Sequence, residues 1–101
     1  MNIQFSYKQV PDRDKSFLEN YVEKKRSRFE TLVRGQDYNV ARLEIRSEKF
    51  ATKEAYKVEL FLHLPGKMFM SSEDDHTIIE AFDLALDRLI IQIRKYNQKN
   101  K

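Results

Sequence analysis

The chain is predicted to be an α+β protein, a two-layer sandwich whose four-stranded sheet carries both helices on one face, in the order β-α-β-β-β-α. Three observations predict it. Two long stretches, one towards each end, repeat their apolar residues at three- and four-residue steps, the period of a helix packed on one side. Four shorter stretches alternate apolar and polar residues, the period of a half-buried strand. Only one face of each strand is apolar, so both helices must cover that face and leave the other wet.

In order, Ile3, Phe5 and Tyr7 alternate with Asn2, Gln4, Ser6 and Lys8 and predict a first strand over 2–8. Val10-Pro11 closes it, and Asp12 or Asp14 is placed to cap the following helix. Leu18, Val22, Phe29 and Leu32 or Val33 give that helix its buried stripe from about Asp14 to Arg34, with Gly35 as its stop. Arg26 interrupts the stripe and is expected to lay its methylenes on the core with the guanidinium outward. A second strand is expected from Asn39 to Ser47, where Ala41, Leu43 and Ile45 alternate with Arg42, Glu44 and Arg46.

After the polar connection Glu48 to Glu54, residues Tyr56, Val58, Leu60, Leu62 and Leu64 give the strongest strand pattern in the chain. Pro65-Gly66 turns it into a short fourth strand over 67–72, with Phe69 inward. Glu73, Asp74 and Asp75 are expected to lead into the last helix, capped by Thr77 with Glu80 at capping-box spacing. That helix, from Thr77 to Lys101, buries Ile78, Phe82, Ala85, Leu86, Leu89, Ile93 and Tyr96. Beside this stripe, Arg88, Gln92, Lys95 and Lys99 step by four, three and four, and no acid follows Asp87.

At 101 residues the chain has room for one core, so residues 1–101 are read as a single domain. A hydrophobic share of 41% with 12% aromatics is that of a folded protein, and 35% charged residues leave a solvated surface. No apolar run is long enough to cross a bilayer, and the first residues lack the basic start and apolar centre of a secretory signal. Zero Cys excludes disulfides and thiolate metal sites and is compatible with a cytoplasmic protein. A net charge of +3 is too small to indicate a partner, but its distribution is informative.

An enzyme is not expected. His63 falls on the wet face of a strand and His76 at a helix start, without a second His at ligand spacing. The acids Glu73, Asp74, Asp75, Glu80, Asp83 and Asp87 read as helix-start acids and a solvated helix face rather than a metal site, and no cofactor is implied. Phe61, among mixed charges, makes a poor stacking platform. What remains is a pair of basic helix faces, Lys24, Lys25, Arg26 and Arg28 on the first and Arg88, Arg94, Lys95 and Lys99 on the second. Side by side on one sheet face, they could merge into one strip suited to an RNA backbone. An alternative of another class is a protein-interaction module, with Phe50, Phe61, Met68 and Met70 as its apolar patch.

From Ile3 to Lys99 the chain resembles the bacterial family of ribosome hibernation-promoting factors and ribosome-associated inhibitor A. The matching pieces are Tyr21-Val22-Glu23-Lys24-Lys25-x-x-Arg28-Phe29-Glu30, Leu64-Pro65-Gly66-Lys67, Ala81-Phe82-Asp83 and Asp87-Arg88-Leu89-x-x-Gln92-x-Arg94-Lys95-Tyr96. The resemblance implies the same β-α-β-β-β-α fold, bound to the small ribosomal subunit where messenger and transfer RNA pass, silencing idle ribosomes. It also implies rRNA contact by Lys24, Lys25, Arg28, Arg88, Gln92, Arg94, Lys95 and Lys99. The chain departs from the family pattern at Arg26, Ile79 and Ile91. It ends at Lys101 without the extra C-terminal domain of long members, so a monomer is expected off the ribosome.

Overall fold

The computed structural model describes residues 1–33 and 36–99, the side chain of Gln36 excepted. The elements are β1 (Asn2–Lys8), α1 (Asp12–Leu32), a one-turn α2 (Gln36–Val40), β2 (Arg42–Lys49), β3 (Tyr56–Leu64), β4 (Lys67–Asp75) and α3 (Ile78–Lys99). The strands lie in the order β1-β2-β3-β4, with β1 parallel to β2 and the other neighbours antiparallel. Parallel neighbours need a long crossover, and α1 supplies it. The α+β sandwich read from the periodicities is the fold observed.

Register lines up the apolar residues across the sheet. Ile3, Leu43, Leu62 and Phe69 form one row, and Phe5, Ile45, Leu60 and Ser71 the next. Leu18, Val22 and Phe29 of α1 and Phe82, Ala85, Leu86, Leu89 and Ile93 of α3 close over these rows, so both helices share one face. Ser71 is the polar member of its row. Its buried hydroxyl donates to the Ala85 carbonyl at 2.7 Å, which seats α3 close against β4 without an orphaned donor. Gly66 takes φ +71° in the turn from β3 to β4, a conformation that costs glycine little.

The two helices run in the same direction. β1 and β4 both point the same way, since β2 is parallel to β1 and two antiparallel steps lead from β2 to β4. Each helix then returns over the sheet. Tyr21 donates to both Asp83 carboxylate oxygens at 2.8 Å, and further along both helices Asn97 donates to the Leu32 carbonyl at 3.4 Å.

Four expectations need correction. Pro11, not an aspartate, occupies the start of α1, and no side chain caps it. Asp14 is taken instead by the Tyr56 hydroxyl of β3, a partner distant in sequence. The second strand begins at Arg42, because Gln36–Val40 forms a helical turn. The fourth strand runs to Asp75 rather than 72, because its acids have folded uses: Glu73 pairs with Arg88 and Asp75 accepts the His76 amide. Thr77 does cap α3, accepting the Glu80 amide at 3.1 Å. Tyr96, expected in the α3 stripe, lies at the rim with its ring edge-on to Phe69. Arg26 ties helix to strand, its guanidinium donating to the Met1 carbonyl at 2.9 Å and to Glu23 at 3.0 Å. The expected stop at Gly35, and the ends at Arg34 and Lys101, lie outside the described residues.

The Tyr56 contact has a pH signature. Its hydrogen bond to the Asp14 carboxylate, then burial, push the phenol up from 10.0 to about 12. The fold favours the neutral phenol, so this contribution is complete below pH 10.0 and is lost as pH rises through about 12. Stability measured against pH should therefore fall across this alkaline window in the wild type and less steeply in Tyr56→Phe. Equal slopes would show that the contact contributes nothing.

Candidate nucleic-acid interface

Tyr21 sets the geometry of the helix surface, because its bond to Asp83 marks which flank of each helix faces the other. On α1, Lys24, Lys25 and Arg28 follow Tyr21 by three, four and seven residues and so share its flank. Lys25 places its ammonium 5.0 Å from the centre of the Tyr21 ring, while Lys24 and Arg28 project into solvent. On α3, Asp87, Arg94 and Asn97 follow Asp83 on the flank facing α1. Burial first, and then the bond to Asp83, raise the Tyr21 phenol, which keeps it a neutral donor between the helices.

The other flank of α3 is marked by two contacts to β4. Arg88 meets Glu73 at 2.6 Å, and Gln92 donates its side-chain amide to the Met70 carbonyl at 2.7 Å. Lys95 and Lys99 continue that line by three and seven residues from Gln92, and both are exposed. The eight residues named from the sequence thus fall into two groups rather than one strip. Lys24, Lys25, Arg28 and Arg94 border the groove between the helices; Arg88, Gln92, Lys95 and Lys99 follow the β4 side. Between them the crest of α3 carries Leu84 and Ile91, both exposed. Among the described residues, Lys24, Arg28, Arg94, Lys95 and Lys99 form no ion pair, whereas Arg88 and Gln92 are engaged by the fold.

One feature of this surface escaped the sequence. Phe17 sits one turn before Tyr21 on the same flank and is 54% exposed. With Asn20, Tyr21, Lys24 and Ile79 it lines a cleft of about 310 Å³ between the first half of α1 and the first turn of α3. Its signal was its position, an aromatic next to Leu18 but off the buried stripe.

The open sheet face is organised by Glu44. Its carboxylate meets His63 Nε2 at 2.9 Å, Arg46 at 3.3 Å and Arg42 at 3.5 Å. Desolvation pushes this carboxyl up, but the Arg46 and His63 hydrogen bonds and the two guanidinium charges outweigh it and hold it below the usual range. Arg46 lies 4.6 Å from the centre of the Phe61 ring, and Lys53 the same distance from that of Phe50. Met68 and Met70 remain exposed. Among the described residues no three His, Cys, Asp or Glu side chains gather as a metal site, and no helix is long and apolar enough to cross a membrane.

Fold and surface together define an α+β fold whose two parallel helices present, among the described residues, two groups of exposed cations. Residues 3–101 match the family described as sigma 54 modulation protein / S30EA ribosomal protein, and the chain belongs to that family. Its fold is similar to that of the N-terminal domain of Protein Y from Thermus thermophilus, with a TM-score of 0.74 and 24% identity over 95% of this chain and 99% of that one. It is also similar to a ribosomal subunit interface protein from Coxiella burnetii, with a TM-score of 0.75 and 21% identity over 97% and 99% of the two chains. A comparison with curated proteins gave no match.

Proposed function

We propose that this chain is a ribosome hibernation factor, a non-enzymatic cytoplasmic protein that binds the small ribosomal subunit and inhibits translation by idle ribosomes. Membership of the S30EA family supports ribosome association. The observation that carries the RNA contact is the set of exposed cations Lys24, Arg28, Arg94, Lys95 and Lys99 on two adjacent helices, which form no ion pair among the described residues. Such side chains cost nothing in the fold to redirect onto phosphates. Lys25, Arg88 and Gln92 would reach the RNA from positions already fixed by Tyr21, Glu73 and Met70.

The competing reading, an apolar docking module, is weakened because Arg46 covers Phe61 and Lys53 covers Phe50. Sedimentation with purified small subunits separates the two. Binding through phosphates releases counterions, so log affinity falls by roughly 0.7–0.9 per contact for each tenfold rise in salt. The chain should pellet with subunits at low salt and stay in the supernatant at high salt. Failure to pellet at low salt would end the ribosomal reading, and a salt-tolerant complex would favour the apolar patch.

A further inference from the structure

The cleft between the first half of α1 and the first turn of α3 holds an aromatic ring and an amide that phosphate binding does not use. Its volume of about 310 Å³ lies near the lower bound for small-ligand sites, about 300 Å³. Phe17 offers an exposed ring at its mouth, and Ile79 supplies an apolar wall. Asn20, also lining the cleft, brings an amide that can both donate and accept. Lys24 stands at its edge with no ion pair among the described residues, and Arg13 lies 6.0 Å from the Phe17 ring centre. The nearby carboxylate of Asp83 accepts the Tyr21 hydroxyl, which holds it against the Tyr21 side of the cleft.

We propose that this cleft takes one unpaired nucleobase of the bound RNA, stacked on Phe17, with Asn20 bonding its edge and Lys24 meeting its phosphate. The inference rests on the RNA-binding reading and adds a base contact to it. An aromatic face for the ring, an amide for its edge and a cation for its phosphate are the combination by which proteins hold single-stranded nucleic acid. Phosphate contacts alone position a protein on RNA, whereas a base held in a cleft also fixes its register.

The test compares the full chain's affinity for a short oligoadenylate with that for an abasic ribose-phosphate oligomer of equal length, both at low salt. The wild type should prefer the base-bearing oligomer by about tenfold, the scale of one stacked base. Phe17→Ala should bring the two affinities together, and Phe17→Trp should restore the preference. Because Phe17 is exposed, thermal unfolding should show each variant folded. Equal wild-type affinity for both oligomers, or a preference surviving in Phe17→Ala, overturns the nucleobase cleft alone. Binding to neither oligomer overturns it together with the RNA-binding reading.

Discussion

Exchange of Lys24, Arg28, Arg94 and Lys95 for Glu is expected to weaken binding to the small subunit by about three orders of magnitude at roughly 0.1 M salt. At that concentration a slope of roughly 0.7–0.9 per phosphate contact makes each contact nearly tenfold in affinity. Reversing the charge adds repulsion to each lost contact. The four positions are chosen because they are exposed and form no ion pair among the described residues, so the fold should survive. Lys25 and Arg88 are left in place, since one packs on Tyr21 and the other holds Glu73 at 2.6 Å. The measurement is a binding isotherm over a salt series, with circular dichroism to confirm native structure. A loss below tenfold with an unchanged salt slope would move the interface away from these helices.

Phe82→Ala is expected to be the most destabilising single substitution of those considered, at about 3–5 kcal/mol. Phe82 is fully buried on α3, and its ring meets Tyr21 edge-on with centres 6.0 Å apart. Its removal opens a cavity at the seam of both helices and the sheet, and deprives the Tyr21–Asp83 contact of its packing support. Against a typical total of about 5–15 kcal/mol, this is a large fraction of the stability. The melting temperature should drop by about 15 °C or more. Phe17→Ala, an equal truncation at an exposed position, should shift stability by no more than about 0.5 kcal/mol. Similar melting temperatures for the two variants would contradict the core assignment.

The local patterns of this sequence predict nearly every element of the fold. The alternation over 56–64 marks β3 with its observed bounds, and the stripe from Ile78 to Ile93 marks the buried face of α3. The misreadings occur where a local signal yielded to a distant partner. Asp14 looked like a helix cap because capping is a contact within a few residues. Its actual partner, Tyr56, arrives from the third strand. Glu73, Asp74 and Asp75 read as a polar lead-in because acids are poor strand residues, yet Arg88 on α3 and the His76 amide stabilise two of them in β4. The basic residues were legible by type and spacing. Their division into two groups was not, because it depends on which flank of each helix meets its neighbour, and Tyr21 with Asp83 decides that in space.

The parallel course of the two helices makes the molecule electrically lopsided. Their peptide dipoles point the same way and add instead of cancelling, leaving a partial positive pole where both begin and a negative pole where both end. Asp12, Asp14, Asp75 and Glu80 lie near the first pole together with Arg13 and Lys15, while Lys95 and Lys99 lie near the second. The side chains therefore oppose the backbone field and over-compensate it at the far end. Lys95 and Lys99 thus turn the pole that the backbone makes negative into one that attracts a polyanion.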